Sequence, residues 1–335
     1  MAPAPPPKRV AVPAGKLGVP LTSSGTYKAP TKAAAAASAP VFGSARTGIR
    51  EMGYRHWEGT YTGHSFRWWT IAKATLRSTV YTKGRLFMLL VLATGAWIFP
   101  FFFGIFYFFG AVTAGQGLRD PDDLLRANLH EMLIVWQWMW AVVFSAVIGS
   151  RLVSNDLRSE AFYIYLSKPI TRLDYFIGKV LACVGWTTVV TLAPSLWVYF
   201  AARGAQNNFV KLSEAGEIFW ELLAVQTLLL FVCASVAVCL SSLTKRWALA
   251  LISWMGLAFI MLPIAEITSE ATRVPEWAYI SPIHNVWIVA GHMFEREQNP
   301  VFTPAWEGSL WCLIGLIIVS LGVFLFRVWK LEAAE

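Results

Sequence analysis

Six long apolar runs dominate this chain, at about residues 86–113, 132–148, 176–201, 218–240, 248–264 and 310–326. A hydrocarbon core of ~30 Å is crossed by about 20 helical residues rising 1.5 Å each. Lipid offers no partner to a backbone N–H or C=O, so each crossing segment must bond its own backbone. The runs therefore predict an all-α polytopic membrane protein with six transmembrane helices. The second, fifth and sixth are the tightest fits, completed by adjacent small residues. Composition agrees, with 56% apolar and only 14% charged residues, where a soluble domain carries roughly a quarter charged.

The charged residues set an orientation. Thirteen Lys and Arg lie between Lys8 and Arg85, against Glu51 and Glu58. The loop after the second run holds Arg151, Arg158, Lys168, Arg172 and Lys179; Lys245 and Arg246 follow the fourth run, and Arg327 and Lys330 close the sixth. The remaining loops are acidic or balanced, with Asp120, Asp122, Asp123 and Glu131 in one and Glu266, Glu270, Glu276, Glu295, Glu297 and Glu307 in another. Positive loops stay on the cytoplasmic side, so both termini are predicted to be cytoplasmic. The net charge of +8 is then a topology signal, and no nucleic-acid partner is expected.

Residues 1–50 are rich in Pro, Ala, Gly and Ser. Such a segment cannot bury enough apolar area to offset the entropy of ordering it. It is read as a disordered cytoplasmic tail rather than a signal peptide, which would need an apolar central stretch. Residues 51–85 form a cytoplasmic segment carrying an amphipathic helix over 64–82. On a helical projection Phe66, Trp68, Trp69, Ala72, Leu76 and Val80 share one arc, opposite Arg67, Thr70, Arg77, Ser78 and Tyr81. A basic helix with paired tryptophans suits the headgroup plane, lying on membrane lipids. Residues 86–330 form the six-span domain.

The segment between the second and third runs is longer and more polar than a hairpin needs. Ser154 is placed to cap a helix running to about Leu166, because the residue before Pro169 is pushed out of the α region. Thr171 followed by Asp174 resembles a capping box that starts the next helix. Leu157, Phe162, Tyr163, Tyr165 and Leu166 give an apolar strip beside Asn155, Asp156, Arg158 and Glu160. An apolar strip with a charged rim suits docking to a soluble partner.

This segment, with Pro169-Ile170-Thr171-Arg172 followed by Gly178-Lys179, resembles the cytoplasmic coupling segment of ABC transporter permeases of the type-2 exporter class. The resemblance spans about residues 64–330. It implies a permease subunit that exports its cargo through a pathway between two permease copies, homodimeric or heterodimeric. Separate ABC ATPase subunits would bind ATP and Mg and push on the coupling residues, among them Asn155, Asp156, Leu157, Arg158, Glu160, Phe162, Tyr163, Leu166, Pro169 and Arg172. It also implies residence in the plasma membrane, a bacterial inner membrane, and short external helices before the last span, for which 283–294 is the candidate. The alternative is a membrane scaffold or receptor subunit that transports nothing.

Catalytic readings find little support. Gly178-Lys179 lacks the earlier glycine and the following Ser or Thr of a phosphate-binding loop. The five histidines are scattered, and neither HExxH nor GxSxG occurs. Cys183, Cys233, Cys239 and Cys312 sit inside apolar runs without metal-site or disulfide spacing, and are read as small buried hydrophobes. Thus no catalytic residue, metal site or cofactor is assigned to this chain. Glu131, Glu221 and Glu266 are read as interfacial residues at helix ends, and no polar cluster is expected at membrane depth.

Overall fold

The computed structural model describes residues 66–81, 83–113, 121–161, 170–205, 216–296 and 303–332. The tail at 1–50 lies outside these residues, as do Phe162, Tyr163, Leu166 and Pro169. The described residues are helical, without a strand. Six stretches are long and apolar enough to cross a membrane: Gly84–Phe106, Asp122–Arg158, Arg172–Gly204, Gly216–Leu243, Trp247–Thr272 and Trp306–Lys330.

The elements, in order, are α1 (Arg67–Val80), α2 (Lys83–Thr113), α3 (Pro121–Met132), a π turn (Leu133–Gln137), α4 (Trp138–Leu152), α5 (Ser154–Arg158), α6 (Arg172–Thr188) and α7 (Leu192–Ala205). They continue as α8 (Gly216–Leu243), α9 (Trp247–Thr272), a 3₁₀ turn (Pro275–Ile280), α10 (Pro282–Met293) and α11 (Trp306–Glu332). The fourth span, α8, is the hub: 72% of its apolar window is buried, against 17%, 22% and 22% for the first, fifth and sixth spans. The outer spans keep apolar faces outward, as Phe87, Phe102, Ile252 and Ile318 show, which in water would be an aggregation surface.

Close approach of α4 to α8 rests on small residues, as in other helix pairs within lipid. A methyl group added at Gly149 would lie 2.5 Å from the Ala237 Cβ. The Ser241 hydroxyl lies between the same helices. It accepts from the backbone N–H groups of Val153 (3.1 Å) and Ser154 (3.0 Å) and donates to the Ser150 carbonyl (2.8 Å). Trp254, fully buried, donates its indole N–H to Ser145 across 2.9 Å.

Two spans are not uniform α-helices. The second begins far earlier than residue 132, so that Asp122 and Arg126 are helical rather than in a loop, and it contains the π turn. The third is broken between Thr188 and Leu192. Pro194 explains the break, since it has no N–H for the Val190 carbonyl and its ring collides with that turn. The freed carbonyls find partners on neighbouring spans: Val189 accepts from the Trp97 indole (2.9 Å) and Thr191 from the Gln137 amide.

The segment before the last span is not a surface helix. Ile283, Val286, Val289 and Ala290 of α10 are buried in the same core as Leu222, Trp254 and Leu313. Ser281 caps α10 by accepting from the His284 N–H (3.2 Å), followed by Pro282 at the first position, both favoured there. Burial pushes the His284 imidazole below its ordinary range.

Candidate functional site

The residues singled out for coupling lie among basic groups: Asn155 and Asp156 line a cleft with Arg85, Arg151 and Lys179, and Arg158 lies by Lys245 and Arg246. Thr171 opens α6 with the expected reciprocal capping box: the Asp174 N–H donates to the Thr171 hydroxyl (3.1 Å), and the Thr171 N–H donates to the Asp174 carboxylate (3.0 Å). Arg172 follows, its guanidinium 5.1 Å from the ring centre of Trp329 on the last span. It thus sits against α11 as well as at the start of α6.

The helix expected from Ser154 to about Leu166 is not continuous. α5 stops at Arg158, and Glu160 takes φ +54°, a left-handed conformation that ends helices. Ser154 does not cap it either. It is fully buried and donates its hydroxyl to the Ser241 carbonyl (2.8 Å), tying α5 to α8. The sequence could not reveal this partner, which is 87 residues away.

Two further expectations are corrected. Leu157 is not on an open docking strip: it is 8% exposed and belongs to the core cluster that includes Leu152, Val153 and Tyr175. Asp156 is not a solvated rim charge. Its carboxylate lies 2.7 Å from the Lys179 ammonium and accepts a hydrogen bond from the Tyr175 hydroxyl at 2.9 Å. Lys179 is 4% exposed and Tyr175 1%. The physical reason is that α5 is tied on one side, to α8 through Ser154 and to α6 through Asp156, so that side faces inward. What remains outward is Asn155, Arg158, Ser159 and Glu160.

The Gly178-Lys179 pair acquires two distinct roles. Lys179 neutralises Asp156. Gly178 lets α1 lie against α6, since a methyl group there would come within 2.8 Å of the Ile71 Cβ and 2.9 Å of the Trp68 carbonyl. Ile71, Ala72 and Thr75 are the buried residues of α1. Its apolar arc is therefore divided: Ala72 packs on protein, Trp68 and Leu76 are half-buried, and Phe66 and Trp69 remain exposed.

Within the bundle, polar side chains do gather where none were expected. Gln137 donates to the Ser195 hydroxyl (2.7 Å) and to the Thr191 carbonyl, and accepts from the Gln226 amide (2.8 Å). All four residues are buried. The π turn and the break before Leu192 supply the backbone irregularity, as π turns often do at functional positions. Pro194 within an apolar run was the signal available in the sequence.

At the opposite end, Arg126 of α3 makes a bidentate pair with Glu221 (2.9 and 3.0 Å) and reaches Glu295 at 2.8 Å. Glu221 thus joins the second and fourth spans instead of merely ending a helix. Arg203 and Asp122 form a second pair there, 2.8 Å apart. Cys183, Cys233 and Cys239 are buried, whereas Cys312 is exposed.

No curated protein matches this chain closely enough to count as a relative. Residues 137–327 match the family described as ABC-2 family transporter protein. That match runs from the polar cluster, through α5 and the capped start of α6, to the last span. The chain therefore belongs to the ABC-2 transporter family, as a membrane permease of an ABC transporter.

Proposed function

We propose that this permease works as an exporter, paired with a second permease copy and driven by separate ATP-binding subunits that press on α5 and residues 159–170. The observation that carries this reading is the Lys179–Asp156–Tyr175 contact, which fastens α5 to α6 while Ser154 and Ser241 fasten it to α8. A force applied to the outward residues Asn155, Arg158 and Glu160 then reaches three spans at once. Phe162, Tyr163, Leu166 and Pro169 complete the docking segment in this proposal. The outward apolar faces of the first, fifth and sixth spans give room for lipid and for a second copy. A membrane scaffold would have no use for an arm tied to three spans.

Two experiments test this. In a background without the four native cysteines, a cysteine at Asn207 should react with an impermeant thiol reagent in intact cells, while one at Ser159 or Thr244 should react only after permeabilisation. Labelling of Ser159→Cys in intact cells would place α5 on the wrong side for an ATPase. Second, the tagged full-length chain should copurify with a nucleotide-binding protein that photolabels with an azido-ATP. Phe162→Asp and the paired reversal Arg158→Glu with Glu160→Lys should each lower its recovery roughly tenfold or more, since a buried unpaired charge at an interface costs several kcal/mol. Membrane insertion should persist. Recovery of no nucleotide-binding protein with the unaltered chain would favour the scaffold.

A further inference from the structure

A cleft of about 370 Å³ opens at the positive end of the bundle, between α1, α2, α4, α5 and α6. Its inner wall is apolar, formed by Met88, Leu89, Val147 and Ile148. Its charged groups are Arg85, Arg151, Lys179 and Asp156. Asp156 is already neutralised by Lys179 at 2.7 Å. Neither Arg85 nor Arg151 has a carboxylate partner among the described residues, so two positive charges are left over. Arg151 is held in place by stacking 4.0 Å from the ring centre of Trp247, and its Nε is buried without a hydrogen-bond acceptor. Ser78 and Thr79, also in the wall, donate their hydroxyls to the Thr75 carbonyl (2.9 and 2.8 Å). The guanidinium groups are therefore the free cationic groups of the cleft.

These features specify a ligand. A partly buried guanidinium with unused N–H groups calls for an anion with several oxygens, and phosphate suits its fork. An apolar wall directly beneath the charges calls for hydrocarbon attached to that anion. Arg85 stands two residues into α2, just before the first apolar run, and Arg151 one residue from the end of α4, just after the second, the level of lipid headgroups. Basic pockets between spans are a recognised mode of lipid binding.

We propose that this cleft is a binding site for an anionic phospholipid, with Arg85 and Arg151 on the phosphate and an acyl chain along Met88, Leu89, Val147 and Ile148. The site adjoins both α1 and α5, so its occupant packs between the amphipathic helix and the Asp156–Lys179 tie. The proposal rests on the six-span reading and is independent of which ATPase binds.

The test uses the full-length purified chain in a neutral detergent, with phosphatidylglycerol as the probe. Native mass spectrometry should show retained phosphatidylglycerol in preference to phosphatidylcholine, and phosphatidylglycerol should raise the unfolding temperature. Arg85→Gln with Arg151→Gln should weaken binding roughly tenfold or more, whereas Lys245→Gln with Arg246→Gln, removing the same charge at the same end, should leave it unchanged. A photoreactive benzophenone residue in place of Met88 should crosslink phosphatidylglycerol in the otherwise unaltered chain, which keeps the test valid if the arginine variants fail to fold. Equal retention of phosphatidylcholine, or equal loss in the Lys245/Arg246 variant, would overturn the site. Protection by millimolar glycerol 3-phosphate as strong as that by the lipid would show a soluble phosphate compound as the ligand and overturn the lipid assignment.

Discussion

Lys179→Met is expected to destabilise the permease by about 3–5 kcal/mol, the usual result of leaving one member of a buried ion pair alone. Asp156 would keep its carboxylate at a largely enclosed position with only the Tyr175 hydroxyl to bond it. The apparent unfolding temperature in detergent, followed by size-exclusion chromatography after heating, should drop sharply, and the folded yield with it. Adding Asp156→Asn should recover most of the loss, because a neutral amide still accepts from Tyr175 and no charge is stranded. A double variant as unstable as Lys179→Met alone would mean that Lys179 contributes through its stem packing and not through the pair.

Leu157→Asp is the second large effect, and it separates two readings of one residue. On an outward docking strip the new carboxylate would be solvated in the free subunit and would harm only assembly. In the structure it would enter a core with Leu152, Val153 and Tyr175, where an unpaired polar group costs several kcal/mol. The expected outcome is therefore loss of folded protein before any partner is involved. Asn155→Asp, two residues away and exposed, should change stability by less than about 0.5 kcal/mol. An unchanged unfolding temperature for Leu157→Asp together with lost ATPase recovery would restore the docking strip.

These two variants mark where sequence reasoning stops. The capping box at Thr171 and Asp174 was legible because both partners lie three residues apart and the signal is local. The end of a helix near Ser159 and Glu160 was not, since nothing in Arg158-Ser159-Glu160 demands the left-handed residue found at Glu160. Lys179 lies two turns inside α6, and nothing local points to its partner Asp156, 23 positions earlier in the chain. Gln137, Ser195 and Gln226 stand in three different apolar runs, and only the bundle brings them together.

What the sequence determined by itself was the solvent of the fold and the number of crossings. Apolar length and backbone self-sufficiency are properties of single segments, and six such segments are present in the structure. It also determined the capped start of α6, which depends on two residue types three positions apart. The tertiary structure alone decided which faces pair. It made α8 the hub, set the segment before the last span into the core, and turned Asp156 and Leu157 inward. Those outcomes depend on distances between spans, and a periodicity within one helix holds no information about which neighbour its polar residues will meet.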